Sequence, residues 1–495
     1  MICVSIGRGR HRHVIAEHRH LVDQGAKLVE LRLDYINGDV NIRRLVTDRP
    51  CPVIIACRRV VDGGKFAGTE EQRRLLLRSA IAEGVEYVDL EEDIAASIPR
   101  FGRTKRIVSL HDFRKTPDNL EEIHQRLCGL DPDIIKIAVM ANHPHDNVRV
   151  LEMVRRSKVP TVGVCMGDIG VPSRLLAGKF GSPFTFATFH HERALAPGQL
   201  SYQQMTEIYR YDAINADTEV YGVIADPVGH SLSPQIHNAG FQHANLNKVY
   251  IPIRVPREDL PRFMDEATAL GIRGLSVTIP HKEEVLKKLT EADDAVRGIG
   301  ASNTVLFDGK RRIGYNTDCR AAMESLETAV GGAAEAQQRL HGRTALVLGA
   351  GGVGRAIVYG LMHHGMNVVV TDIAPRSALT LAQRFNCRSV DWAARHSVVA
   401  DLLVNCTPVG MHPNVDEMPF EKHHLRPSMV VFDAVYNPEN TLLVKEARNR
   451  NCLVVTGVDM FVRQACLQFA LFTGQEGPSE LMRETIRRAI GAAKC

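Results

Sequence analysis

The chain has 495 residues, too many for a single core, and its 44% hydrophobic and 24% charged residues are those of a globular protein. A formal charge of +4, with Lys and Arg interspersed among Asp and Glu, argues against nucleic acid as a partner. Eleven cysteines without a CxxC pair or regular spacing argue against a zinc or disulfide framework, so no metal site is read. No run approaches the roughly 18 apolar residues of a membrane span. The apolar stretch Met1-Ile2-Cys3-Val4-Ser5-Ile6 is too short for a signal segment, so no membrane is expected as a partner and the chain is expected in the cytoplasm.

From the N-terminus, short β-branched runs recur at 2–6, 28–35, 53–58, 87–91, 106–113, 133–139, 161–166 and 184–189, with helix-patterned stretches between them. This alternation implies βα units around a parallel sheet, and the eight runs predict a closed (β/α)8 barrel. Polar residues at the C-terminal ends of such strands face a common pocket. Glu30 and Arg32 fall in the second run, Arg58 ends the third, His111 lies in the fifth and Lys136 in the sixth, while Arg174 and Gln199 follow the seventh and eighth. Lys136 interrupts the apolar run Ile134-Ile135-Lys136-Ile137-Ala138-Val139, where a strand buried on both faces makes an ammonium costly. A structural pairing with Glu30 explains that lysine, taken alone, as well as a chemical role does. Arg32, Arg58 and Arg174 around the same pocket favour the neutral amine, which attacks a ketone to form an imine, and they suit a substrate carboxylate. His111, a group ordinarily titrating near neutrality, suits removal of a proton beside the imine and protonation of a departing hydroxyl.

Glu30-Leu31-Arg32-Leu33-Asp34, Ser109-Leu110-His111-Asp112-Phe113, Lys136-Ile137-Ala138, Ser173-Arg174 and Ala196-Pro197-Gly198-Gln199 resemble the type I 3-dehydroquinate dehydratases, over about residues 1–210. The resemblance implies that Lys136 forms a Schiff base, that His111 is the general acid/base, and that Arg174 and Gln199 bind substrate. Glu30, Arg32 and Arg58 match other pocket positions of that family. Two positions depart. The family's Glu before a Gly-Gly pair, which orients the histidine, is Asp62 in Asp62-Gly63-Gly64, a shorter carboxylate expected to keep the role with altered reach. The family's Ser before Ala-Pro-Gly-Gln is Leu195, which removes a hydroxyl contact to substrate or lid.

Residues 212–219 are polar, lack apolar periodicity and read as a linker, with a new strand at 220–224. Further on, a strand at 344–348, the turn Gly349-Ala350-Gly351-Gly352-Val353-Gly354, a helix at 355–364 and a strand at 368–371 follow one another. GxGxxG alone is a weak signal. Between strand and helix it is strong, because its glycines allow the tight turn that brings a pyrophosphate to the helix N-terminus. Upstream, Ser231-Leu232-Ser233-Pro234, Val277-Thr278-Ile279-Pro280-His281-Lys282, Ala301-Ser302-Asn303-Thr304 and Tyr315-Asn316-Thr317-Asp318 end apolar strands. Each alone reads as a turn or cap. Together they offer hydroxyls, an amide, an ammonium and a carboxylate, a set suited to a polyhydroxylated ring acid beside a nicotinamide.

This set resembles the shikimate dehydrogenases, over about residues 220–490. The resemblance implies that Lys282 and Asp318 are the catalytic pair, that Ser231, Ser233, Thr278, Asn303 and Gln464 hold shikimate, and that Asn405-Cys406-Thr407-Pro408-Val409-Gly410-Met411 flanks the nicotinamide. Cofactor contacts are expected from the glycine turn, Thr407 and Gly457. A plain Lys282–Asp318 ion pair is the alternative. The resemblance also implies NADP, whose 2′-phosphate the family holds with the Arg of an Asn-Arg-Thr run. Here the run is Thr371-Asp372-Ile373-Ala374-Pro375-Arg376: Asp372 suits a free ribose 2′-OH, Arg376 is placed to compensate for it, and NAD is expected to be usable.

The expected domains are a barrel at 1–212, a substrate-binding domain at 219–320 completed by C-terminal helices within 459–495, one of them at 479–493, and a Rossmann domain at 321–458. The whole resembles fused enzymes that dehydrate 3-dehydroquinate and reduce the product to shikimate, which keeps two sites at high effective concentration. Two other readings stay open. One is quinate oxidation by the C-terminal half, which Asp372 suits. The other is a ligand-sensing regulator, against which stand Lys136, His111, Lys282 and Asp318 and the lack of a basic helix-turn-helix segment. Small-molecule substrates are the expected partners, and the oligomeric state stays open.

Overall fold

The computed structural model describes residues 1–229 and 231–492, with His191 and Ala492 described through their backbone. They form two compact units: Met1–Gly222 with Asp226–His230 and Asn247–Ile272, and Val223–Ala225 with Ser231–Leu246 and Arg273–Cys495.

In the first unit, β1 (Ile2–Ile6), β2 (Leu28–Arg32), β3 (Val53–Ala56), β4 (Tyr87–Glu91), β5 (Lys105–Asp112), β6 (Ile134–Met140), β7 (Thr161–Met166) and β8 (Thr185–Thr188) form one sheet. Every pairing is parallel and runs in the order β7-β6-β5-β4-β3-β2-β1-β8. The predicted runs are therefore strands, three with the expected bounds and five with ends moved by up to three residues; the second stops at Arg32 because Leu33–Tyr35 winds into a 3-10 turn. The expected (β/α)8 barrel is nearly closed: among the described residues no ladder joins β7 to β8. The short β8 spends its bonds on β1 and on the segment after itself, with Thr188 N donating to Leu200 O over 2.9 Å. Inside, Cys3, Leu28, Ile54, Ile107, Val162 and Phe184 form an apolar floor. Above it the register sets Ser5 beside Glu30 and Ser109 beside Lys136, so the interior turns polar towards the C-terminal ends.

The polar stretch read as a linker is a tied turn. Asn215 N donates to Thr218 Oγ1 (2.9 Å), Thr218 Oγ1 donates to Asn247 Oδ1 (2.7 Å), and Lys179 Nζ donates to the carbonyls of Ala216 and Thr218. The mixed sheet that follows contains β9 (Glu219–Ala225), β10 (Lys248–Arg254), β11 (Ile272–Val277), β12 (Glu291–Ala292), β13 (Thr304–Asp308) and β14 (Arg311–Tyr315), in the order β10-β9-β11-β13-β14-β12.

A second sheet joins β15 (Thr344–Leu348), β16 (Asn367–Thr371), β17 (Arg388–Ser389), β18 (Leu402–Asn405), β19 (Val430–Asp433) and β20 (Leu453–Val455), all parallel, in the order β17-β16-β15-β18-β19-β20. This is the doubly wound Rossmann order, whose direction reverses between β15 and β18, the place where such sheets bind ligands. Helix Thr317–Val330 packs against helices Gly352–His363 and Gly457–Thr473, burying Leu326, Ile357 and Leu361 in one core. Helix Ser479–Ala492 buries Met482, Ile486 and Ile490 and packs against helix Ser233–His243; the last residue of the helix expected at 479–493 lies outside the described residues. Among the described residues, no helix is long and apolar enough to cross a membrane.

Two candidate active sites

Lys136, on β6, is 5% exposed, and its Nζ lies 3.3 Å from Glu30 Oε1 and 3.0 Å from Asp89 Oδ2. Arg58 completes this cluster: it pairs with Asp89, reaches Glu30 at 3.5 Å, and lies 2.9 Å from His111 Nδ1 while also contacting Nε2. Ser5 and Ser109 donate to Glu30 and Asp89, over 2.7 and 2.5 Å. Arg32 forms a bidentate pair with Asp34 (2.8 and 2.9 Å), and the wholly buried Arg73 pairs with Glu91. Arg32, Arg58, Arg73 and Lys136 are thus matched by Glu30, Asp34, Asp89 and Glu91. That matching makes so much buried charge tolerable, since an unpaired buried ion costs several kcal/mol.

The titration of these groups follows from their setting. Burial raises the Glu30 carboxyl, but Lys136, Arg58 and Arg32 outweigh it and pull it to about 2. Asp89 is lowered in the same way: Arg58 and Lys136 overcome its burial. Glu91 goes the other way, to about 7, because burial and the charge of Asp89 prevail over Arg58 and Arg73. His111 is held well below its ordinary value by burial and by the cations Arg58 and Lys136, which keeps the ring neutral and able to accept a proton.

Arg174 differs from the other cations. Burial pulls it down to about 10, its Nε has no hydrogen-bond partner, and Nη2 donates to the carbonyl of Pro197 (3.1 Å). No carboxylate partner is seen for it among the described residues, so its charge is available to an anion. Glu30, Arg32, Arg58, Asp62, His111, Lys136, Arg174 and Gln199 line one cavity. Gln199 Oε1 is taken by the backbone N–H groups of Leu195 (2.8 Å) and Ala196 (3.2 Å), which leaves its amide nitrogen as the group to offer.

In the second unit, Lys282 Nζ lies 2.5 Å from Asp318 Oδ2, both side chains buried. Asn316 caps the helix carrying Asp318 by accepting from Cys319 N (3.2 Å), and it donates to Ala301 O (2.9 Å). Asn303 is locked nearby: its Nδ2 donates to Thr317 Oγ1 and its Oδ1 accepts from Thr317 N, each over 2.8 Å. Ser233 opens its helix, its N–H 3.3 Å from Ser231 Oγ, and Thr278 N donates to Ile224 O (3.1 Å). Gln464 is buried on helix Gly457–Thr473. One turn on, Gln468, which sequence reasoning missed, donates to Asn303 O and Thr304 Oγ1 and accepts from Ser276.

The glycine turn has the shape a dinucleotide needs. Gly349 adopts φ 100°, and a Cβ on Gly354 would stand 2.1 Å from Gly349 O. A Cβ on Gly351 would meet nothing within 4 Å, which leaves room for a pyrophosphate at the N-terminus of helix Gly352–His363. A Cβ on Gly352 would fall 2.9 Å from Lys282 Cδ, so turn and lysine adjoin. Asp372 accepts from Ala350 N (2.7 Å) and Ala374 N (2.8 Å), so the carboxylate expected at a ribose also ties down the turn. Arg376 is exposed in the first turn of helix Pro375–Phe385. Thr407 follows β18, held by Asn405 Oδ1, and Gly457 starts its helix where a Cβ would strike Val435 O at 2.3 Å.

Family models match in the same order: type I 3-dehydroquinase at residues 2–216, shikimate dehydrogenase substrate binding domain at 223–305, and shikimate 5′-dehydrogenase C-terminal domain at 457–487. The chain is 35% identical, over 97% of its length and 83% of the relative's, to the chloroplastic bifunctional 3-dehydroquinate dehydratase/shikimate dehydrogenase of Arabidopsis thaliana. It belongs to the bifunctional 3-dehydroquinate dehydratase/shikimate dehydrogenase family. A crystal structure of a shikimate dehydrogenase with NADP+ matches 56% of the chain and 97% of its own at 36% identity, TM-score 0.52. The quinate dehydrogenase of Corynebacterium glutamicum in complex with NAD matches 55% and 99% at 32% identity, TM-score 0.50.

For a bifunctional dehydratase/dehydrogenase, two placements stand out. Asp62 accepts from Arg59 Nε (2.7 Å) at the cavity rim, while the group in contact with the His111 ring is Arg58. Asp89, which joins Lys136 to Arg58, escaped the sequence reading. The signal was there: Tyr87-Val88-Asp89-Leu90-Glu91 puts carboxylates into a buried parallel strand, as Lys136 puts an ammonium into its own.

Proposed function

We propose that 1–212 carries the dehydratase, that 219–320 with 459–495 binds the dehydrogenase substrate, and that 321–458 binds the nucleotide. In the first, Lys136 Nζ attacks the ketone of 3-dehydroquinate and, with loss of water, forms an imine. Its ammonium must first give up a proton, and Glu30 and Asp89 adjoin it. Neutral His111 takes the proton from the carbon beside the imine and returns it to the departing hydroxyl. Arg174, the buried cation without a carboxylate, holds the ring carboxylate, with Arg32, Arg58, Asp62 and Gln199 around it.

In the second, NADP(H) supplies the hydride when bound. The N–H groups of Gly351, Gly352, Val353 and Gly354 would hold its pyrophosphate, Gly349 and Ala350 shaping the turn with their own N–H groups on Thr371 O and Asp372, and Thr407 and Gly457 would adjoin the nicotinamide. Lys282 Nζ delivers the proton to the developing alkoxide and Asp318 keeps it oriented. Ser231, Ser233, Thr278, Asn303 and Gln464 hold the hydroxyls and carboxylate. Asp372 disfavours a 2′-phosphate and Arg376 offsets it, so NAD(H) also serves. The same aspartate favours quinate oxidation as a second reading. Unbridged cysteines suit a reducing compartment, in keeping with the cytoplasm.

The observation that carries this reading is that, among the described residues, each module buries a lysine, Lys136 against Glu30 and Asp89 and Lys282 against Asp318 beside a glycine turn. The test is consumption of NADPH and, in parallel, NADH after addition of 3-dehydroquinate. Oxidation of either requires both sites in sequence, and the faster one reports the balance between Asp372 and Arg376. Enone absorbance without cofactor oxidation would sink the Lys282–Asp318 assignment. Quinate oxidised faster than shikimate would favour the second reading.

A further inference from the structure

A second cavity, of about 970 Å³ and open to solvent, adjoins the dehydratase pocket, with Ser5 and Leu195 lining both. Leu195 fits there because residue 7 is glycine: a Cβ at that position would stand 2.9 Å from Leu195 Cδ2. The two cavities differ in how their charge is compensated. In the inner one the cations of the lysine cluster are paired with buried carboxylates, so their fields largely cancel at a distance, and among the described residues Arg174 alone of the lining cations has no carboxylate. The outer one is lined by Arg8, Lys65 and Arg193 against the single carboxylate of Glu17, a surplus of two positive charges. Glu17 is buried and pairs with Arg8 and, at 3.5 Å, with Arg193. Lys65 is exposed, its ammonium 4.4 Å above the Tyr35 ring.

We propose that this outer cavity is an anion-capturing station: Lys65, Arg193 and Arg8 draw a small hydroxylated ring carboxylate to the barrel mouth, from which it passes Leu195 to Arg174. A surplus of like charge at a cleft mouth raises the local concentration of an oppositely charged ligand and its rate of entry, by about 10-fold or more at low ionic strength. The station does no chemistry, so it acts on kcat/KM and leaves kcat alone. The proposal rests on the dehydratase reading of the inner pocket.

The test uses the full chain and 3-dehydroquinate at low and high salt. Lys65→Gln/Arg193→Gln is expected to lose about 10-fold in dehydratase kcat/KM at low ionic strength, with kcat unchanged and the difference gone at high salt, where the Debye length falls to about 3 Å. Glu17→Gln, which increases the surplus, is expected to gain, an effect misfolding cannot imitate. The dehydrogenase rate of the same samples reports intact protein. If the parent lacks dehydratase activity, the reading of the inner pocket fails. If the parent turns over while the double variant keeps its kcat/KM at low salt, or loses kcat in equal measure, the station is overturned.

Discussion

Lys136 and Lys282 are both buried lysines held by carboxylates, but their surroundings differ. Lys282 has one close partner, Asp318 at 2.5 Å, and an aliphatic stem against the start of a helix. Lys136 touches Glu30 and Asp89, which also hold Arg58, which in turn touches His111. The contrast suits the chemistry proposed for each. An amine that must become a nucleophile has to lose a proton and later regain it, and a shared array of charges lets the compensation redistribute. An ammonium that donates to one alkoxide needs a fixed direction, which a single short pair supplies.

The comparison is broken most severely by removing the proposed nucleophile. Lys136→Ala should abolish dehydration, by on the order of 10⁴-fold or more, while reduction of 3-dehydroshikimate proceeds at the parental rate. Borohydride trapping followed by mass measurement should find the substrate adduct in the parent alone. Lys282→Met should lower cofactor-linked reduction by about 10²–10⁴-fold with dehydration intact. Equal losses of both activities in either variant would contradict the division of labour.

The difference between the pairs is sharpened by Asp89→Asn and Asp318→Asn. Asp89 serves Arg58 and Lys136 together, so its neutralisation should cost dehydration about 10²-fold and stability about 3–5 kcal/mol, the scale of breaking a buried pair. Because Asp89 raises the His111 proton affinity, the acid limb of the dehydratase pH profile should move lower still in this variant. Asp318→Asn should reduce the dehydrogenase rate with a smaller change in melting temperature. A purely structural Asp89 would leave the pH profile where it was.

The smallest expected effect concerns Glu91. Its folded value of about 7 lies above its ordinary 4.5, so the folded state takes up a proton that the unfolded chain releases. Its stabilising contribution is full below about pH 4.5 and is lost as pH rises through about 7. Glu30, pulled to about 2, does the reverse: its contribution is present above pH 4.5 and lost on acidification. Between pH 5 and 8 the melting temperature of Glu91→Gln should therefore fall less than that of the parent, by about 2–4 °C. A parallel decline would contradict the raised carboxyl.

Where a polar residue broke an apolar run, as Lys136 does in β6, the sequence pointed to a residue that the barrel cavity holds, and the glycine turn was legible from its place between β15 and a helix. Asp89 broke a run too, but alternating Asp and Glu resemble the solvent face of a half-exposed strand, and only the barrel's curvature turns that face inward. Asp372 was legible as a carboxylate at the second nucleotide strand. Its bond to Ala350 N was not, because a backbone donor leaves no mark in the residue pattern. Gln468 was missed beside Gln464 for a related reason: helical spacing puts both on one face, and only their neighbours tell which is already occupied. Incomplete closure of the barrel depended on where Thr188 sends its hydrogen bond, a choice made by the following loop.

At residue 352 the absence of a single methyl group has a mechanical meaning. A methyl there would fall 2.9 Å from Lys282 Cδ, so the start of helix Gly352–His363 serves as a backstop to the lysine stem. The glycine turn and the lysine proposed as proton donor are in this sense one machined part. On that reading, a change in the turn is also a change in proton delivery.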